Sequence, residues 1–337
     1  MPIKIKLIIK YVSFFVFILA ISFLIKPNIS YSAKVSSDAV AVKVIPNPNN
    51  YSALRWYDEQ GFKGSPQEVV VDDYAGVRDG STVYVDAANV VGTIMYTNIY
   101  VLAYNQEADN NTIQIFDKIL ESFKFNYEMT TDAGRCMPSS DVKLLNNPKL
   151  LSKYAKSCNS DSDCTNESVT TCAVSLHKCV DPDTLQYCIY DSECANSDYY
   201  LYCVSHKSTV VRDTKRLADL AEIKIALNNY KKNNGHYPIL AAGTYLLNKT
   251  ISTWPSWQET FAKELGLPML PIDPINRLGP CNNGYTATSK NINANTCWDD
   301  INKVFADSDP DSSDIHLRPT DQVYMYVTDS KGLNYGM

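Results

Sequence analysis

The chain has 337 residues, 45% apolar and 20% charged, so its bulk is globular rather than disordered. Residues 1–33 hold four lysines and no acid, which leaves 27 basic and 37 acidic residues in the remainder. An anionic body lacks the clustered Lys and Arg that phosphate contacts require, and ten cysteines behind an export-type start argue for an oxidising compartment. These features argue against a cytosolic nucleic-acid-binding protein.

Residues 1–10 carry Lys4, Lys6 and Lys10, and 11–25 form an uncharged run rich in Phe, Ile and Leu. Lys26-Pro27 ends the run, and Ser30-Tyr31-Ser32-Ala33 offers small residues for a signal peptidase. This order reads as a secretory signal peptide over 1–33. A spanning helix needs about 20 apolar residues, so a retained N-terminal anchor is the second reading. Either way the body is expected outside the cytoplasm.

Residues 34–66 read as a loop-rich lead-in, because Pro46-Asn47-Pro48-Asn49-Asn50 and Gly61-Phe62-Lys63-Gly64-Ser65-Pro66 are turn clusters. Strand signals follow in Glu68-Val69-Val70-Val71-Asp72, in the alternating 81–87, and in the β-branched and aromatic 97–104; Asp79-Gly80 reads as a hairpin turn. From about Asn111, Ile113, Phe116, Ile119, Leu120 and Phe123 are spaced for one helical face. Residues 67–130 are therefore expected to form an α+β domain, an antiparallel sheet closed by a helix.

Eight cysteines follow: Cys136, Cys158, Cys164, Cys172, Cys179, Cys188, Cys194 and Cys203. They define a small disulfide-rich module over 131–209. An internal repeat is visible, since Cys158-Asn159-Ser160-Asp161-Ser162-Asp163-Cys164 echoes Cys188-Ile189-Tyr190-Asp191-Ser192-Glu193-Cys194. Zinc would need tight Cys-x2-4-Cys pairs, and none is present. The eight are expected to pair among themselves in an unassigned connectivity, and Cys281 with Cys297. The segment resembles the short Cys-x-x-Asp-x-x-Cys modules of secreted cysteine-rich proteins. Asp161, Asp163, Asp191 and Glu193 read as solvated loop acids, with calcium binding as the alternative.

The stretch 212–238 reads as an amphipathic helix, with Asp213 as N-cap, Leu220, Ile223, Leu227 and Tyr230 on one stripe, Lys231 and Lys232 in the last turn and Gly235 at C′. Ser256 and Glu259 suggest a capping box for a short helix ending at Gly266. Trp254, Trp257 and Tyr245 read as core, with a ligand-stacking surface as the alternative.

The helix resembles that of type II secretion major pseudopilins and type IV pilins, in which an Arg and spaced aliphatics lead to a Tyr and then Asn-Gly-x-Tyr-Pro. The matching positions are Arg216, Asp219, Ile223, Leu227, Tyr230, Asn234, Gly235, Tyr237 and Pro238. Leu270-Pro271-Ile272-Asp273-Pro274 resembles the pseudopilin Leu-Pro-x-Asp-Pro loop, and 323–335 resembles the final pilin hairpin. The resemblance implies a helix on an antiparallel sheet over 210–337. It departs from a pilus subunit, because about 185 residues separate the apolar segment from this helix and the pilin processing site is missing. The whole chain resembles exported proteins of uncultured bacteria that combine the same three pieces. The resemblance also implies a calcium site in the C-terminal region, for which Asp307, Asp309, Asp311 and Asp314 are the candidate ligands. Residues 333–337 are short for a return strand, so 323–327 is expected to lie on a partly unpaired edge, as a truncated copy or with another chain supplying the strand.

The sequence holds no Gly-x-Ser-x-Gly, His-Glu-x-x-His or phosphate-binding Gly loop, and His177, His206, His236 and His316 are isolated. The reading is an exported, non-catalytic surface or envelope protein with a pseudopilin-like module. It would be structural or adhesive and linked to secretion or pilus-like proteins. It needs no cofactor apart from the calcium candidate, binds no nucleic acid, and meets the membrane only through its N-terminal segment. A cysteine-rich extracytoplasmic binding or inhibitor protein is the alternative. N-terminal sequencing of exported protein checks the first segment: the expected start lies just after Ser32 or Ala33, and a start at Met1 makes the segment an anchor.

Overall fold

A computed structural model describes residues 39–138, 156–158, 160–164, 170–173, 178–181, 183, 185–195, 200–240, 244–279, 281, 292–293, 295–305, 315, 317 and 321–337. The protein is α+β, with antiparallel sheets, helices and five disulfides. The signal-peptide segment and the four aspartates proposed for calcium lie outside the described residues.

The first unit is a five-stranded antiparallel sheet in the order β1-β5-β4-β3-β2, made of β1 (Val40–Pro46), β2 (Gln67–Val71), β3 (Tyr74–Asp79), β4 (Thr82–Val91) and β5 (Ile94–Tyr104). The part of the lead-in that is described is not loop. It contains β1 and a short helix α1 (Ala53–Glu59), whose N-cap Ser52 accepts from the Arg55 N–H. The turn-rich 46–50 is the link between them, and Asn47 and Asn50 are tied to Thr97 on β5. Tight turns set the register: Asp72 and Asp73 adopt φ of 55° and 64° between β2 and β3, the left-handed pair that a two-residue hairpin needs.

Alternation sends the strand side chains to two faces. On one, Val77 and its register partner Tyr84 meet Ala53 and Tyr57 of α1. On the other, Val83, Val85, Ala87 and Leu102 form the main core beneath helix α2 (Asn110–Ser122), which contributes Phe116 and is capped by Asp109. Phe125 and Met129 close this core, and Val210, from a helix far along the chain, enters it.

Between the two large units sit two copies of one cysteine module. In the first, Ser157 bridges Lys178, the Cys179 N–H donates to the Lys156 carbonyl, and β7 (Thr171–Ala173) pairs with β8 (Lys178–Val180), placing Cys172 opposite Cys179. Its disulfides are Cys158–Cys172 and Cys164–Cys179. In the second, Tyr187 of β9 (Tyr187–Cys188) pairs with Arg135, the Cys136 N–H donates to the Gln186 carbonyl, and β10 (Tyr200–Cys203) pairs with β6 (Gly134–Pro138), placing Cys203 opposite Cys136. Its disulfides are Cys188–Cys203 and Cys136–Cys194. The second copy therefore takes from upstream the strand that the first copy finds downstream. Met137, Ala173, Val180 and Leu185 form the small core where the copies meet.

A short helix α3 (Asp191–Ala195) belongs to the second copy, and the long helix α4 (His206–Asn234) follows it. The expected N-cap at Asp213 is corrected: Ser205 caps α4 by accepting from the Ser208 N–H at 3.0 Å, so the helix starts two turns earlier. Lys207 and Arg212 are buried in those turns, and a periodicity that counts only apolar residues misses them. The far end follows the sequence reading, with Gly235 at φ 80° and its N–H on the Lys231 carbonyl.

The second half of α4 covers the C-terminal unit. Ile223 and Leu227 pack on Leu240, Trp257, Phe261, Tyr324 and Tyr326. The central sheet has the order β11 (Lys249–Ile251), β15 (Met325–Thr328), β16 (Tyr335–Gly336). A second, small sheet of β12 (Ile292–Asn293), β13 (Trp298–Asp299) and β14 (Val304–Phe305) flanks it, near the Cys281–Cys297 disulfide. The last long strand, β15, pairs with β11 along Met325–Val327 on one side, while the short return β16 reaches only Val327 and Thr328 on the other, which agrees with the partly unpaired strand expected there. Gly332, at φ 65° in the turn between β15 and β16, lies where a Cβ would meet the Tyr237 carbonyl at 2.6 Å. The expected capping box at Ser256 does not form; the Ser256 hydroxyl pairs with Thr250, and the segment Trp257–Ala262 winds as a π-helix.

One carboxylate ties the units together. Asp72, fully buried at the β2–β3 turn, accepts from Lys207 Nζ (2.6 Å), Tyr190 Oη (2.7 Å), the Phe125 N–H (2.8 Å) and Lys124 Nζ (3.1 Å). Removing one member of a buried pair strands the other charge, at a cost of about 3–5 kcal/mol. Asp72→Asn, which keeps the left-handed turn, should lose about 3 kcal/mol in chemical denaturation; adding Lys207→Met should recover part of the loss.

Candidate functional site

A cavity of about 310 Å³ opens where the end of the first sheet meets the N-terminal half of α4. Ser52 and Ala53 of α1, Asp73 and Tyr74 of the β2–β3 turn, Asp86 of β4, and Arg212 and Lys215 of α4 line it. Asp86, the one charged residue of β4, is 5% exposed, and its carboxylate accepts from Asn47 Nδ2 at 3.0 Å. Burial pushes its pKa up to about 7, against the hydrogen bonds from Asn47 and Thr97.

The other charged groups of the cavity are paired. Arg212 Nη1 donates to both oxygens of Asp191 (2.6 and 2.8 Å) and to the Cys203 carbonyl. Lys215 Nζ reaches Asp219 at 3.0 Å one turn along the helix, and Tyr324 Oη donates to the same carboxylate at 2.9 Å. Burial raises the pKa of Asp219 against the charge of Lys215, and it raises Asp73 against two hydrogen bonds from Ser192. Among the described residues no histidine or cysteine lines the cavity, and none of its lining residues is a nucleophile held by an oriented base. Its chemistry is that of a partly apolar hole with a protonatable carboxyl.

The acids of the cysteine repeats are not free ligands. Asp161 accepts from the Cys172 N–H (2.6 Å), and Asp191 accepts from the equivalent Cys203 N–H (2.8 Å). Asp163 accepts from the Ser160 N–H, and Glu193 accepts from the N–H groups of Ile189 and Tyr190. The acids therefore staple the turn of each copy, and this accounts for the recurrence of the pattern. The sulfurs of Cys136, Cys188 and Cys194, and those of Cys158, Cys164 and Cys172, lie close enough for a metal, but every one is disulfide-bonded and has no thiolate to offer.

The three C-terminal motifs meet around one arginine. Arg216 of α4 grips Asp273 of the Leu-Pro-x-Asp-Pro loop through Nε (2.7 Å) and Nη2 (3.1 Å), and Nη2 also reaches Gln322 before β15 (2.7 Å). Asp213 completes the set at 2.7 Å. Tyr326 Oη donates to the Pro238 carbonyl (2.8 Å), and Tyr237 packs edge-on against Tyr335. Trp254 and Trp257 are buried, and their indole N–H groups are satisfied by the carbonyls of Thr296 and Pro271; Tyr245 stacks on Trp298 at 4.6 Å. They are core, and the alternative of a stacking surface is set aside. A groove of about 770 Å³ runs beside the second half of α4, between Ile225, Asn229 and Tyr230 and the loop of Leu265, Leu267 and Met269.

Sequence reading missed Asp72, Lys207 and Asp86. For Asp72 a signal existed, an Asp-Asp doublet between a valine run and Tyr74-Ala75-Gly76. For Asp86 the signal was a lone acid within a strand followed by a long uncharged stretch. Lys207 looks like an ordinary surface lysine in sequence. No family model matches the chain, and neither does any curated protein or solved structure.

A carboxyl whose pKa is higher folded than unfolded makes the fold tighter below about pH 4 and loses that contribution as pH rises through about 7. The Asp86→Asn variant should therefore be more stable than the parent at pH 8, by on the order of 2 kcal/mol, and nearly equal at pH 4. Thermal melts at the two pH values measure this; equal gains at both would assign the effect to packing.

Proposed function

We propose that this is an exported, non-catalytic protein of the cell envelope or surface, and that its C-terminal unit is a pseudopilin-like assembly module working with secretion or pilus-like proteins. The observation that carries this reading is the Arg216–Asp273–Gln322 tie, which draws the helix, the Leu-Pro-x-Asp-Pro loop and the last strands into one core. The five disulfides suit an oxidising, extracytoplasmic environment. No described helix is long and apolar enough to cross a membrane. Asp72, Asp191, Asp219 and Asp273 all hold elements together.

The first half of α4 is occupied by the N-terminal sheet and the cysteine module, so its packing differs from that of a helix free to enter a fibre. The surface left for a partner is the groove beside the second half, with Met269 at 72% exposure on its rim. A second reading, a cysteine-rich binding protein, is favoured by the duplicated module, a rigid stapled platform of the kind that presents loops.

Affinity purification of the exported protein from its host separates the two. Recovery of secretion or pilus components, lost at least about tenfold in a Met269→Glu variant with an unchanged melting temperature, supports the first. Retention of every partner by that variant moves the function to the cysteine module.

A further inference from the structure

We infer that the protein forms a symmetric dimer through β1, the two copies joining their sheets edge to edge about Val42. Among the described residues β1 pairs only with β5, and it forms an edge of the sheet. The Asn105 N–H donates to the Ala39 carbonyl (3.0 Å) and the Asn47 N–H to the Thr97 carbonyl (3.1 Å). Odd-numbered residues of β1 therefore direct their backbone groups at β5. In an antiparallel ladder this alternates, so Val40, Val42 and Val44 direct their N–H and C=O groups at the open edge. The same three residues carry exposed side chains, at 36%, 52% and 50%.

That combination departs from the way edges are protected. A flat edge strand is ordinarily blunted by charges, proline or a bulge, and β1 has one charge, Lys43, and a proline only at its end. The valines stand opposite Tyr104, Leu102 and Tyr100 of β5, residues of the main core or packed on it, so the stripe continues the main core past the cover of α2.

The occupant follows from the strand's own pattern. An antiparallel partner must meet β1 with outward-facing residues of its own, and a second β1 does so in a register that sets Val42 against Val42, with Val40 against Val44. That register makes about six backbone hydrogen bonds and joins two valine stripes into one. It also sets Lys43 opposite Ala41. The register one step towards Pro46 puts Lys43 against Lys43 and offers Pro46, which has no N–H, to the ladder, so charge and hydrogen bonding both favour the Val42 axis over it. A two-fold contact of this kind closes on itself and does not propagate.

Cysteine cross-linking of the full-length, natively oxidised protein tests the inference, and because the chain's cysteines are all in disulfides an introduced one is the sole thiol. Across the axis Val42→Cys places its Cα atoms about 5.5 Å apart, within disulfide range. Lys43→Cys places them roughly 7–8 Å apart, outside it. The expected result is a covalent dimer from mild oxidation of Val42→Cys and none from Lys43→Cys. In sedimentation the parent should dimerise, and Val42→Lys should weaken the dimer at least about tenfold with an unchanged melting temperature. A parent that stays monomeric to about 100 µM, or equal cross-linking at 42 and 43, overturns the inference.

Discussion

The structure depends on how Asp72 is satisfied. A carboxylate removed from water at a hairpin turn is tolerable only if hydrogen-bond donors surround it. The donors come from the exit of α2, from the second cysteine module and from the first turn of α4. Three stretches of chain far apart in sequence are thereby required to converge on one point. Lys207 feels the opposite pressure: burial lowers its pKa, the adjacent carboxylate opposes this, and a second of its protons is held by the Phe125 carbonyl. Neither charge is tolerable there without the other, so the contact specifies one arrangement of the units more than it adds stability.

The same device recurs along α4 at intervals of about one turn. Arg212 fixes the helix to the cysteine module, Lys215 with Asp219 faces the cavity, and Arg216 fixes the C-terminal loop. The helix acts as a spine whose first half belongs to one unit and whose second half belongs to another. Its apolar positions follow this change of partner: Val210 enters the sheet core, and Ile223 and Leu227 enter the C-terminal core. No single stripe runs its length.

That explains which elements could be read in the sequence. The alternation of β2, β4 and β5 and the one-face stripe of α2 were read in the sequence; β3, with Gly76 in its middle and Val77 turned to α1, was not; and Gly235 marks the end of α4 by its backbone conformation. The α+β class and the richness in disulfides followed directly. β1 was hidden, although Val40, Val42 and Val44 alternate, because the Pro and Asn cluster beside it dominates the window and its valines meet solvent. The start of α4 was hidden because Lys207 and Arg212 are buried through partners more than a dozen residues away, which no local window contains. The cavity and the Asp72 hub were illegible for the same reason. Arg216 and Asp273 were both singled out in sequence, but their contact belongs to the fold.

The two cysteine modules are built alike but close differently in time. The first is local, with bridges spanning 14 and 15 residues, and a ribosome or translocon releases all of its thiols within one short stretch. The second includes a bridge spanning 58 residues, because its closing strand was made before the first module began. Cys136 therefore waits while five other thiols emerge ahead of its partner Cys194. Short loops close with the smaller entropic cost, so early oxidation favours capture of Cys136 by Cys158 or Cys164. Correct maturation then requires either that the first module seal itself promptly or that exchange undo the error. A chain assembled from two equal folding motifs thus acquires an unequal dependence on the thiol–disulfide chemistry of its compartment, and the burden falls on the cysteine that was synthesised first.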